Sequence, residues 1–212
     1  MDYAALLNHL FRILTLIGLI IYIFRKSKNK SATYTEQPTD YNILKNSINT
    51  LKQIQNTPSL DYSIPANINS QLKYNLKNQK ALYNLLLSMT EHLHIDGHFI
   101  TLYVHDNKNA RFPGLYTVTS DGKVLITLQI QDNYTINTVI AILAHELMHM
   151  YLDFKKVKHP VKKLNEIQTD VAAVYFGFGN YIYNSMKDGK ERNYKIGYIN
   201  IKDLECIKNI CR

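Results

Sequence analysis

The stretch LAHELMHMYLDF, residues 143–154, constrains the fold more than any other part of this chain. Apolar side chains at Ile136, Val139, Ile140, Leu143 and Leu147 recur with the period of an α-helix, with Asp132 or Thr135 placed to cap its start. His145 and His149, four residues apart, must then project from one face. Two imidazole nitrogens at that spacing can reach one zinc ion at about 2.0–2.1 Å. Glu146 points to the side of the pair, where its carboxylate can take a proton from a metal-bound water and later deliver one to a leaving amine.

Two histidines do not complete a metal site, and spacing sorts the candidates for a third ligand. A histidine six residues after the second would mark a longer variant of the motif, but Lys155 stands there, and Leu152 occupies the place of its glycine. Asp153 follows on the same helix about 12 Å from His145 in axial rise, too far to share an ion. His159 lies in the basic loop KKVKHPVKK, whose charges repel a dication. The best candidate is Glu166 in NEIQTDVAAVYFGFG, residues 165–179, whose apolar positions Val171, Ala172, Val174 and Tyr175 read as a second helix. Gly177 and Gly179 read as its stop signal. Packed against the first helix, it lets Glu166 complete a His-His-Glu set that leaves a fourth position for water. Asp170, one turn further on, can accept the free ring N–H of His145 and so orient that ligand.

Before the motif the period changes. HFITLYVH and KVLITLQI alternate every second residue, with Ile100, Leu102 and Val104 on one face and Val124, Ile126, Leu128 and Ile130 on another. Asp121-Gly122 joins alternating runs in the manner of a tight hairpin, so a small antiparallel sheet is expected. Further upstream, a helix is predicted from about Ile43 to Gln55, and NTPSLDYSIPAN breaks it. Leu82, Leu85, Leu86, Met89 and Leu93 mark the next, with Met89 as core filler.

The amino-terminal stretch ALLNHLFRILTLIGLIIYIF, residues 5–24, is mostly apolar and as a helix would span about 30 Å. No small-residue cleavage site follows it, so it reads as one uncleaved membrane anchor. Arg25, Lys26, Lys28 and Lys30 follow directly, which places the rest of the chain on the cytoplasmic side and offers contact to anionic lipid. That basic run accounts for part of the net charge of +8. No arginine-rich or glycine-aromatic signature is present, so no nucleic-acid partner is expected. Cys206 and Cys211 are too few for a disulfide scaffold or a four-cysteine zinc site.

His145-Glu146-Leu147-Met148-His149 followed by Asn165-Glu166-Ile167-Gln168-Thr169-Asp170 resembles the paired motifs of the gluzincin metallopeptidases, in particular their small single-domain members, the minigluzincin type. The resemblance covers roughly residues 98–184. It implies a thermolysin-like site with zinc on His145, His149 and Glu166, one ion per chain, and a hairpin strand along which an extended peptide aligns. It also implies a residue beyond the glutamate helix that stabilises the oxyanion, for which Tyr198 is the candidate, with Tyr175 behind it.

The expected architecture is thus α+β and zincin-like: an anchor over residues 1–26, a polar linker over 27–42, and a peptidase domain over 43–212. Within the domain, residues 43–97 are the helical part, 98–184 the catalytic core and 185–212 a carboxy-terminal segment. The expected function is that of a membrane-anchored zinc endopeptidase acting on peptide or protein substrates. The alternative is a zinc-stabilised, catalytically inactive scaffold or sensor tethered at the membrane.

Overall fold

A computed structural model describes residues 38–105 and 112–211. The longest of its helices, α4 (Ile136–Phe154), is capped by Thr135, whose side chain accepts from the Thr138 N–H. Twelve of its 19 residues are buried, so it must be covered on several sides. The other elements are α1 (Tyr41–Ile54), α2 (Ala66–Tyr74), α3 (Gln79–His92), β1 (Ile100–His105), β2 (Gly114–Val118) and β3 (Val124–Gln129), followed after α4 by α5 (Lys162–Ala173), α6 (Gly179–Arg192) and α7 (Ile201–Cys211). The sheet packs on α3 and α4, while α5 and α6 cover other sides of α4 and α1 lies against α5 and α7. Leu82, Leu85, Leu86 and Met89 are fully buried beneath this assembly, as their helical spacing predicts.

The three strands run in the order β1-β3-β2. The β2–β3 hairpin turns at Thr119–Lys123, around the expected Asp121-Gly122 pair. The sheet as a whole is not antiparallel: β1 pairs with β3 in parallel, Ile100 opposite Val124 through His105 opposite Gln129. Period-two alternation identifies which face of each strand is buried, and does so correctly here, but it carries no information on neighbour direction.

The expected membrane-crossing helix is also corrected. No helix among the described residues is long and apolar enough to cross a membrane, so the fold described is α+β with a small mixed sheet and no membrane-crossing helix. Residues 5–24, the basic run Arg25 to Lys30 and the linker as far as residue 37 lie outside the described residues.

One further helical feature departs from expectation. Helix α2 follows Pro65, starting in the last two residues of the stretch read as a break and running on where no helix is expected, with only Ile68 and Leu72 buried along it, too few to make an apolar period visible. The glutamate helix ends where its glycine predicts, the backbone leaving helical geometry at Phe176 and Gly177. A kink over Val174–Phe178 separates α5 from α6, and Gly177 within it adopts φ +97°. The kink frees carbonyl groups, and neighbours take them: Ser59 N–H donates to Tyr175 O at 3.0 Å, Tyr62 N–H to Gly177 O at 2.9 Å, and His92 Nε2–H to Phe176 O at 3.0 Å. A Cβ at 177 would run into the Leu60 carbonyl and lie 2.8 Å from His92 Nε2. Gly177→Ala is therefore expected to lower stability by about 2–4 kcal/mol, combining the left-handed penalty with a backbone clash. Equilibrium denaturation of the two proteins checks it, and equal midpoints would refute it.

At the carboxy-terminal end, Asn200 and Asp203 cap α7 reciprocally. Asp203 N–H donates to Asn200 Oδ1 at 3.0 Å and Asn200 N–H to Asp203 Oδ2 at 2.9 Å. The same buried carboxylate accepts from Thr39 N–H at 2.7 Å and its hydroxyl at 2.9 Å, which fastens the start of the described chain to this turn.

Candidate metal centre

Helix α4 presents His145 and His149, and α5, packed beside it, presents Glu166. Their inner atoms form a small triangle: His145 Nε2 to His149 Nε2 is 3.0 Å, His149 Nε2 to Glu166 Oε2 is 3.1 Å, and His145 Nε2 to Glu166 Oε2 is 3.2 Å. The three form the one group of such side chains, among the described residues, that could hold a metal ion. A tetrahedral ion with bonds of about 2.0–2.2 Å has ligand–ligand edges of about 3.3–3.5 Å, close to this spacing.

The outer nitrogens decide what the inner ones can do. His145 Nδ1 lies 2.7 Å from Asp170 Oδ1, and a carboxylate there can only accept, so Nδ1 carries a proton and the ring, when neutral, turns a lone pair inward. Thr169 gives its hydroxyl proton to Asn165 O at 2.8 Å, so its oxygen accepts from His149 Nδ1–H at 3.2 Å. The second ring therefore also turns a lone pair inward. Two lone pairs and a carboxylate facing one point repel one another unless a proton or a metal cation lies between them, and this donor set fits a divalent metal such as zinc. Asp170 is itself fixed from behind, its Oδ2 accepting from Tyr198 N–H at 2.5 Å and Ile199 N–H at 3.2 Å.

Titration in the absence of a metal follows the same logic. Burial works against charge on His145, but the charge and hydrogen bond of Asp170 outweigh it, with help from Glu166, and its pKa is pushed up to about 10. His149 is lowered, by burial and by the neighbouring His145. The His145 hydrogen bond holds the Glu166 carboxyl below its ordinary value. A proton on His145 is thus the competitor a metal must displace, so affinity falls as pH falls.

Glu146 sits on α4 outside the triangle. Its Oε2 accepts the backbone N–H of Tyr116 on β2 at 2.8 Å. Burial raises its pKa, against the opposing charge of His145 and the Tyr116 hydrogen bond. The close approach of strand to helix needs glycine at 114: a Cβ there would come within 2.6 Å of Glu146 Oε1 and 2.7 Å of Ile142 Cγ2.

The triangle opens onto a cleft of about 640 Å³ bordered by Gly114, Leu115 and Tyr116 of β2 on one side and the 158–162 loop and the 195–198 segment elsewhere. Tyr198, half exposed, stacks on His145 with ring centroids 6.0 Å apart and 20° between planes. Burial and then the negative charges of Glu166, Asp170 and Glu146 raise its pKa, so it keeps its phenolic proton. Tyr175 is not at the cleft: it is buried, with its hydroxyl donating to Gln55 O at 2.7 Å. Asp153 accepts from the Tyr116 hydroxyl at 3.3 Å, and His159 Nδ1 accepts from Val161 N–H, so neither joins the triangle.

Sequence spacing alone brings His145, His149, Glu166 and Asp170 together; it does not find Thr169, Gly114 or the Tyr116 N–H. A threonine three residues after a liganding glutamate has no distinctive signature, and a backbone donor has none at all. Comparison with family models, with characterised proteins and with solved structures returns no match to this chain.

Proposed function

We propose that this protein is a zinc-dependent peptidase of gluzincin type, with His145, His149 and Glu166 as metal ligands and Glu146 as general base. The observation that carries the reading is the convergence of two inward lone pairs and one carboxylate at 3.0–3.2 Å, with a second, buried carboxylate alongside. A bound zinc ion supplies a Lewis acid toward a carbonyl oxygen and lowers the pKa of a water at its open position. Glu146 accepts the proton of the attacking water and returns it to the departing amine. Asp170 and Thr169 hold the two imidazoles in the ligating tautomer. Tyr198 offers a phenolic proton to the oxygen on which negative charge develops. An extended peptide finds a partner in β2, an edge strand whose residues Gly114 to Tyr116 border the cleft.

The deciding test uses purified full-length protein, metal analysis and an unstructured peptide library. About one zinc per chain and cleavage that a chelator removes and added zinc restores are the expected results. Zinc bound with no turnover of any peptide would favour the inactive scaffold instead.

A further inference from the structure

One wall of the cleft carries charges that the hydrolytic chemistry does not use. Lys162 opens α5 and precedes Glu166 by four residues, so the two share a helical face one turn apart and both border the cleft. Glu166, the carboxylate best placed to neutralise Lys162, is instead turned to His145 and His149. Among the described residues no carboxylate pairs with Lys162. Lys158, across the 158–162 loop, reaches Asp153 Oδ1 only at 3.5 Å with both side chains solvent-accessible, and Asp153 already accepts from Tyr116. Between the two lysines, His159 uses Nδ1 as an acceptor for Val161 N–H, which leaves Nε2–H as a donor. Among the described residues, the only acidic side chains bordering the cleft are Glu146 and Glu166, both engaged at its floor. The wall is therefore an array of donors and positive charge facing a space where a peptide would lie.

We propose that the cleft selects a carboxylate on the bound peptide, read by Lys162 and Lys158. The carboxylate belongs to an acidic side chain or to the peptide's own carboxy terminus, and both present the same planar anion to an ammonium pair. A substrate with lysine or arginine at that place meets like charge in a confined cleft and is disfavoured. The inference rests on the cleft being a peptide site, and its test is arranged so that binding is read apart from turnover.

Zinc-loaded full-length Glu146→Gln protein is titrated, by fluorescence anisotropy, with four kinds of labelled peptide built on one neutral sequence. They are an end-blocked parent, a copy with one glutamine replaced by glutamate at successive positions, a copy with lysine there, and a copy with a free carboxy terminus. The glutamate or the free-terminus peptide is expected to bind about 3–10-fold tighter than the parent at low salt, and the lysine copy more weakly. The gap should close at high salt. In Lys158→Gln/Lys162→Gln it should fall below about twofold, and in Lys162→Glu, at an exposed first helical turn that tolerates glutamate, it should invert. Whichever anionic peptide gains affinity identifies the source of the carboxylate. Equal affinity for all four peptides, no binding of any, or a preference that survives the double substitution overturns the proposal. Wild-type turnover separates the two readings: charge preference without cleavage leaves this inference standing and removes the peptidase, whereas cleavage without charge preference does the reverse.

Discussion

Glu146→Gln lowers peptide hydrolysis by about 10²–10⁴-fold while the protein keeps its metal: that is the result expected from a general base that is not a ligand. The amide has the carboxylate's shape and still offers an oxygen to the Tyr116 N–H, so strand β2 stays against α4. What it lacks is a lone pair basic enough to take a proton from water. The wild-type carboxyl is raised by burial, which strengthens it as a base above its pKa and silences it as pH falls through that value. Turnover on an unstructured peptide, measured beside zinc content, decides the matter. A variant that cleaves as fast as wild type would show that Glu146 is not the base.

The complementary expectation concerns the triangle. His145→Ala, His149→Ala and Glu166→Ala each remove one of three donors and are expected to lose zinc and with it all measurable turnover. Asp170→Asn leaves the three donors and an acceptor oxygen in place but removes the charge behind His145, so a smaller cost of about 10–100-fold in metal affinity is expected. Metal analysis after dialysis gives the retention and competition with a chromogenic chelator gives the affinity. Equal zinc in wild type and all three alanine variants would sink the ligand assignment; equal affinity in Asp170→Asn would remove its orienting role.

The parts of this molecule that could be read from the amino-acid order share one property: their signal is local and periodic. The α4 stripe, the stripe at Leu82 to Met89, the capping Thr135 and the Asp121-Gly122 turn all lie within a few residues of what they determine. His145 with His149, and Glu166 with Asp170, are likewise i to i+4 pairs, so each half of the site is visible, and joining them needs only that two helices pack. What was not legible depends on distant partners. Parallel pairing of β1 with β3 is decided by where the β2–β3 hairpin folds back, which alternation does not encode. Gly177 stops the glutamate helix as its residue type suggests, but the donors that take the carbonyls freed there, from Ser59, Tyr62 and His92, lie far off in sequence and leave no local signal. The Thr169 role depends on where its hydroxyl proton goes, a choice made by the carbonyl of Asn165 one turn back.

The hydrogen bond from Tyr116 to Glu146 ties this carboxylate to the main chain of the strand beside the cleft, and thereby fixes its place along that strand. On the proposed reading, a peptide laid along β2 would meet Glu146 at a fixed phase of the pleat, because its side chains alternate every second residue. Sliding it to the next equivalent position moves it two residues, about 6.6–6.8 Å, and nothing in between presents the same face. On the proposed reading, a peptide paired with β2 would be cut at the one bond that this register sets beside Glu146, and its side chains would choose which register is populated.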